Sequence, residues 1–254
     1  MEGQYHPSVL LILASPQIIQ RSPEWFAFRK AHVTASEASI VIAQGKGLRT
    51  LMNRKKYQAV NGSSFSNEFT KIGAENESKI VEKYRLMYPD VIVHDQLPII
   101  KHQRFDFLAA SLDACTNTGI NVEMKTSFKT TRIHSIPKAY YDQVQLQMEV
   151  ANLDMTHLVY QYINLPDQPV IVHEVHRNTD WFSEHLHKFR IFVEELRAMS
   201  PCMFDMSYLK KQTLIPSIAT ECATPTWSGS SVGASHDEQQ KPPQPTQMKH
   251  HAFQ

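Results

Sequence analysis

Two acidic residues and a lysine lie close together in the sequence and could form a hydrolytic centre. Asp113 precedes the turn signal at 117–119 (Asn-Thr-Gly), and Glu123 and Lys125 follow that turn on a strand predicted over 120–125. Adjacent strands would let both carboxylates share Mg²⁺ or Mn²⁺, since hard cations prefer oxygen ligands. The lysine, on the same strand face as Glu123, could orient or help deprotonate a metal-bound water. This is the chemistry that hydrolyses a phosphodiester.

The pattern is short, and a surface hairpin with an ion pair of little energetic value is the alternative interpretation. Glu77 favours the catalytic one, because it is an acid on the otherwise apolar face of a helix predicted over 68–87, and buried acids are usually paired or metal-bound. Gln143 and Gln147 lie one helical turn apart on a helix that follows the strand. They could join the same site or form a solvated polar face.

A second candidate site could bind a phosphate. Thr34, Ser36 and their neighbours form a capping box over 34–37 (Thr-Ala-Ser-Glu), and Arg29 precedes it. Free helix N–H groups, a hydroxyl and a guanidinium together suit an anion. The surrounding segment 21–60 has a net charge of +6, whereas 139–200 has −5. A basic wall against a nucleic-acid backbone and two solvated helix faces of opposite sign are both consistent with this.

The composition excludes several classes of protein. The 254 residues are 42% hydrophobic and 20% charged, with 26 basic and 25 acidic residues. This balance excludes a wholly disordered chain and a uniformly basic coat. Three cysteines without a C-x-x-C pair argue against a zinc ribbon. The longest apolar run, Val9–Ala14, is too short for a bilayer, so we expect no membrane segment, no signal peptide and an intracellular protein of the host cytoplasm or nucleus.

The predicted elements give a mixed α/β (α+β) domain in which helices flank a central mixed sheet. We predict helices from Ser22 and over 48–60, 68–87, 138–152 and 179–199, and strands over 91–94, 97–101, 105–111, 120–125, 156–163 and 169–176. Residues 1–20 are predicted to be an N-terminal arm and 21–205 the folded domain. Pro, Ser, Thr, Gln and Gly dominate 206–254, which predicts a disordered tail.

Five motifs in this order resemble one known family. They are Trp25-x-x-x-Arg29 with Val33-Thr-Ala-Ser-Glu37, Gly73-x-x-x-Glu77, Ala110-Ser-Leu-Asp113, Glu123-Met-Lys125, and Tyr140-Tyr-Asp-Gln143-Val-Gln145. From about Trp25 to Met199 the chain resembles the phage lambda exonuclease and YqaJ viral recombinase family of PD-(D/E)XK nucleases.

The resemblance implies a restriction-endonuclease-like core and a Mg²⁺-dependent deoxyribonuclease, with Mn²⁺ able to substitute. It would degrade one strand of linear duplex DNA from the 5′ end during viral or phage-type recombination. A homotrimer and a single-strand annealing partner are also implied. The alternatives are a structure- or site-specific endonuclease with the same metal core, and a catalytically inactive DNA-binding protein.

Matching positions assign residue roles. Asp113, Glu123 and the backbone carbonyl of Met124 would bind the metal, Lys125 would act on the nucleophilic water, and Glu77 and Gln143 would complete the active site. A further set would contact DNA: Arg29, Thr34 and Ser36 at the 5′-terminal phosphate, and Ser111 near the scissile group. The sequence departs from the family at Ser111-Leu-Asp-Ala114, where Ser-Pro-Asp-Gly is usual, and at Thr126-Ser127, where Cys-Pro is common.

Overall fold

Helices and strands alternate through the residues that the computed structural model describes, which are 4–20, 22–57, 68–165, 167 and 169–199. The helices are α1 (Pro7–Leu13), α2 (Pro23–Ala31), α3 (Ala38–Ala43), α4 (Lys46–Tyr57), α5 (Glu68–Met87), α6 (Lys138–Ala151) and α7 (Thr179–Ala198). The strands are β1 (Val33–Thr34), β2 (Val93–His94), β3 (Ile100–Lys101), β4 (Leu108–Ala110), β5 (Ala114–Thr116), β6 (Ile120–Ser127), β7 (Met155–Tyr162) and β8 (Val170–His176). A 3₁₀ turn covers Ala35–Glu37.

The larger of the two described sheets is a five-stranded mixed sheet of order β2-β5-β6-β7-β8. β5 and β6 pair antiparallel, with Ala114 opposite Val122. β6 and β7 pair parallel, with Glu123 opposite Leu158, and α6 makes the crossover that a parallel pair requires. The predicted fold class, a mixed sheet flanked by helices, is confirmed.

Both faces of β6 are covered by helices. Val122 and Met124 point to α5, where Ile80, Val81 and Tyr84 are buried against them as the helical spacing predicts. Burial of each such side chain contributes about 1.5–3 kcal/mol to folding. Residues on the alternate face of β6 point to α6, and this face carries polar side chains. The sheet therefore separates an apolar layer from a polar one.

A second, three-stranded sheet of order β1-β4-β3 places the 34–37 segment beside the residues that follow β4. β1 and β4 are parallel, and Thr34 pairs with Ala109. Because the two strands run in the same direction, the Ala35–Glu37 turn and the Ser111–Asp113 segment follow them at the same end of the pair. The sequence did not predict β1, because two residues are too few for a strand pattern.

Part of the predicted N-terminal arm over 1–20 forms a packed helix. α1 buries Val9 and Ile12 in the largest core cluster, and the Ser8 hydroxyl donates to the Asn152 carbonyl at 2.8 Å. The helical periodicity was hidden because Leu10 and Leu11, 53% and 59% exposed, make the run continuously apolar. The predicted tail over 206–254 lies outside the described residues, as do 58–60 of the helix predicted over 48–60.

Three described helix ends are capped by side chains or by backbone conformation. The Ser22 hydroxyl accepts the Trp25 N–H at the start of α2, and the Asn178 side chain accepts the Trp181 N–H at the start of α7, both at 3.1 Å. Asn152 ends α6 in the left-handed region, at φ 53°. Among the described helices, none combines the length and the hydropathy that a bilayer span needs.

Candidate active site

The predicted hairpin brings Asp113 and Glu123 to neighbouring positions on the central sheet. Asp113 stands immediately before β5, and its Oδ2 accepts the Met124 N–H at 2.8 Å. Glu123 lies on β6 and is 2% exposed. The backbone bond to Met124 fixes the Asp113 carboxylate beside the strand that carries Glu123, so the two acids face one site.

Three side-chain donors hold the Glu123 carboxylate. Its Oε1 accepts Lys125 Nζ at 2.5 Å and Gln143 Nε2 at 2.6 Å, and its Oε2 accepts Gln147 Nε2 at 2.6 Å. An ionised carboxylate has about four acceptor positions. The carboxylate is therefore locked in one orientation and retains capacity for a further ligand.

Lys125 is held as an ammonium. Its Nζ also donates to Gln143 Oε1 at 3.2 Å and lies 4.8 Å from the centre of the Tyr140 ring. Desolvation lowers the pKa of Lys125, but the carboxylates of Glu123 and Asp113 raise it, and the resulting pKa lies above its ordinary value. Lys125 thus acts here as a hydrogen-bond donor and positive charge.

Carboxylate charge accumulates around Asp113. Desolvation and the neighbouring Glu123 carboxylate raise the pKa of Asp113 well above its ordinary value, and Lys125 only partly opposes this. Glu77, half-buried on α5, also raises it, so the predicted third carboxylate acts on the same site. A divalent cation would relieve this repulsion.

The donor set fits a hard divalent cation. Asp113 and Glu123 offer carboxylate oxygens, and the Met124 backbone offers a carbonyl, which are the ligands that Mg²⁺ and Mn²⁺ prefer. Within the described ranges, no group of three His, Cys, Asp or Glu side chains is arranged to hold a metal ion. A Mg²⁺ ion held by two carboxylates and one carbonyl would keep several waters, as it usually does.

Of the two alternatives for Gln147, a place in the site or a solvated polar face, the structure shows the first. This fully buried amide donates to Glu123 Oε2 and to the Ser111 carbonyl, the latter at 3.2 Å, and accepts Asn121 Nδ2 at 3.0 Å. It connects the two sides of the hairpin. Its spacing of one turn from Gln143 was the available signal, but burial of that helix face could not be read from the sequence.

Replacing Gln147 by leucine is expected to weaken divalent-cation binding by about 10-fold, because groups that orient a metal ligand typically contribute that much or more. Calorimetric titration with Mn²⁺ would measure the change. Gln145→Leu is the matched control, since that buried amide contacts the His176 carbonyl and the Asn178 N–H instead. Equal cation affinity in Gln147→Leu and wild type would contradict the role.

The side chains of the second candidate site lie close together. Arg29 Nη2 donates to Ser36 Oγ at 2.9 Å, and Thr34 Oγ1 lies 3.4 Å from Ser36 Oγ. The Arg29 guanidinium also lies 4.7 Å from the centre of the Trp25 ring. The capping box is confirmed, because Glu37 Oε2 accepts the Thr34 N–H at 3.0 Å. A cation and two hydroxyls thus converge, a group that suits a phosphate.

Lys55, one of the basic residues of segment 21–60, does not contribute to an exposed basic surface. This residue is 5% exposed, and its Nζ donates to the carbonyls of Arg29 and His32 and pairs with Glu37 Oε2. Desolvation lowers its pKa, against the opposing effect of Glu37. A lysine that faces inward looks the same in the sequence as one that faces solvent. Lys46 and Arg49, by contrast, are exposed.

The structure accounts for the two departures next to Asp113. Leu112, in place of a proline, is 4% exposed and belongs to the largest core cluster. Ala114, in place of a glycine, is fully buried against the α5 side of the sheet. Packing on both sides thus anchors the turn around Asp113 without proline or glycine.

Residues 24–154 match a family model described as the YqaJ-like viral recombinase domain, which is more than half of the chain. The chain belongs to the YqaJ-like viral recombinase domain family. The matched range contains both candidate sites. None of the curated proteins matches this YqaJ-like chain.

Solved structures share the fold of this YqaJ-like chain. The alkaline exonuclease LHK-Exo from Laribacter hongkongensis has a TM-score of 0.63 and 23% identity, and the match covers 75% of this chain and 97% of LHK-Exo. A structure of LHK-Exo in complex with dAMP gives the same TM-score and coverage with 24% identity. The fold is therefore that of a known exonuclease.

Proposed function

We propose that this YqaJ-like protein is a Mg²⁺-dependent exonuclease that degrades one strand of linear duplex DNA from its 5′ end. The observation that carries the proposal is the buried Glu123 carboxylate, which Lys125 and Gln143 contact and which lies beside Asp113. The fold shared with the alkaline exonuclease LHK-Exo supports the same activity. Viral or phage-type recombination is the process in which we place it.

Each side chain has a defined part in the proposed reaction. Asp113, Glu123 and the Met124 carbonyl would hold Mg²⁺, which, when bound, lowers the pKa of water and stabilises charge on phosphate oxygens. The Lys125 ammonium orients the attacking water and offsets negative charge near the phosphate. Gln143 fixes the relative positions of the Lys125 and Glu123 side chains through hydrogen bonds to both.

We assign recognition of the 5′ end of the DNA to the second candidate site. Arg29 and Ser36 would bind the 5′-terminal phosphate, with Thr34 beside them and Ser111 near the scissile group. The parallel pairing of β1 with β4 supports this, because it brings the Ser36 turn and the Ser111 segment to one end of the sheet. A terminal phosphate held there would fix which phosphodiester reaches Asp113.

Linear and covalently closed circular duplexes of the same sequence test the activity. We expect Mg²⁺ to support degradation of the linear form only, and EDTA to stop it. Degradation that continues in EDTA would contradict the metal centre. Cleavage of closed circles would identify an endonuclease instead. Duplex binding without degradation of either form would identify an inactive DNA-binding protein.

Arg29→Ala is expected to lower kcat/KM on 5′-phosphorylated ends by about 10–100-fold, because a charge-assisted contact to the phosphate is lost. On 5′-hydroxyl ends the loss should be small. Steady-state digestion of the two duplexes would measure the ratio. Arg49→Ala, which removes an exposed arginine from α4, is the control. An equal loss on both ends would contradict end recognition by Arg29.

The proposal extends to a homotrimer and to a single-strand annealing partner, on the family resemblance. Light scattering during size-exclusion chromatography would give about three times 29.1 kDa for a trimer. A mass near one chain would contradict it.

A further inference from the structure

We infer that Lys55 is a positioning residue for 5′-end recognition, holding Arg29 and the Ser36 turn in the geometry that receives the terminal phosphate. The inference rests on the proposed function. Lys55 Nζ donates to the Arg29 carbonyl at 2.7 Å and the His32 carbonyl at 2.6 Å, and lies 2.8 Å from Glu37 Oε2. These three acceptors use all three ammonium donors.

Two of the acceptors belong to the end of α2. The carbonyls in the last turn of a helix have no partner within the helix, and a cation there is favourable. Lys55 reaches from α4 to supply that partner at Arg29 and at His32, the residue that follows α2. The backbone of Arg29 is therefore fixed by a group outside its own helix.

The third acceptor belongs to the capping box. Glu37 accepts the Thr34 N–H through the same Oε2 that contacts Lys55, and Arg54 contacts its other oxygen at 3.1 Å. Ser36 lies inside this turn. One buried ammonium thus connects the helix that carries the phosphate-binding guanidinium to the turn that carries the phosphate-binding hydroxyl.

Lys55 does not itself suit phosphate binding. Its side chain is 3% exposed, and its donors are used within the protein. Arg29 reaches Ser36 Oγ, and Ser36 is exposed. If Lys55 served only stability, its loss would affect digestion of every DNA end equally. If it positions Arg29 and Ser36, its loss affects the 5′-phosphorylated end selectively.

The test compares kcat and KM for 5′-phosphorylated and 5′-hydroxyl linear duplexes in Lys55→Met. We expect the ratio of the two kcat/KM values to fall about 10-fold or more, because a displacement of about 1 Å at a binding group can cost that much. Lys56→Met, the neighbouring lysine on α4, should leave the ratio unchanged. A folded Lys55→Met protein with the wild-type ratio would overturn the inference.

A second variant keeps the inference testable if Lys55→Met does not fold. The double variant Lys55→Met/Glu37→Gln removes both charges of the buried pair, so no unpaired carboxylate remains in the interior. It should show the same loss of end preference, and an unchanged ratio would overturn the inference. Arg29→Ala on the same DNA separates the two proposals. If Arg29→Ala also leaves the ratio unchanged, 5′-phosphate recognition itself is wrong, whereas an effect in Arg29→Ala alone refutes only the role of Lys55.

Discussion

Glu123→Gln is expected to lower the rate of DNA hydrolysis by about 10³-fold or more, with duplex binding preserved. Glutamine keeps the volume of the side chain but removes the charge that would bind the cation, whose stabilisation of the transition state is worth several kcal/mol. It also replaces an acceptor by a donor where three donors already converge. Single-turnover digestion of a linear duplex in Mg²⁺ would measure the rate, and fluorescence anisotropy the binding.

Glu174→Gln is the matched control for this experiment. Glu174 lies on β8 of the same sheet with a side chain 63% exposed, and we place no catalytic role on it. It should retain the wild-type rate. A folded Glu123→Gln protein that digests DNA at a rate close to wild type would contradict the proposed centre, whatever the control does.

Lys125→Met is expected to lower the hydrolytic rate by about 10²–10⁴-fold, the range typical of a group that acts on the attacking water. Methionine keeps the length of the side chain but removes the ammonium that contacts Glu123 and Gln143. The same single-turnover assay would measure the loss. Lys129→Met, which removes an exposed lysine just after β6, is the control. Activity retained in Lys125→Met would contradict the assignment.

Lys125→Arg separates two roles of this lysine. The neighbouring carboxylates hold the pKa of Lys125 above its ordinary value, so the side chain is an ammonium at neutral pH. An arginine stays charged and cannot serve as a base. If the positive charge matters, Lys125→Arg should be at least about 10-fold faster than Lys125→Met. Equal loss in both variants would favour a proton-transfer role instead.

The fold was most predictable where the chain has long periodic segments. α5 begins and ends at the predicted residues, 68 and 87, because its apolar spacing extends over several turns. β6 and α6 also match, to within two residues at their ends. α1 and β1 were missed because they are short, and their stability comes from partners distant in sequence, Asn152 for α1 and Leu108 for β1.

In the candidate site, too, contacts between residues close in sequence could be predicted, whereas contacts between remote segments could not. The proximity of Asp113, Glu123 and Lys125 could be predicted from the sequence, because one short hairpin positions all three. The contacts of Gln147 and Lys55 could not, since each depends on the packing of a helix against segments remote in sequence. Residue type gave the chemistry of these two side chains, but only the fold shows that both are buried.

Calorimetric measurement of Mn²⁺ binding in the absence of DNA tests whether Asp113 and Glu123 share a divalent cation. We expect wild-type protein to bind the cation, and Asp113→Asn and Glu123→Gln each to weaken binding by about 10-fold or more. Glu174→Gln should bind as wild type does. Unchanged affinity in both Asp113→Asn and Glu123→Gln would show that the two carboxylates do not share a cation.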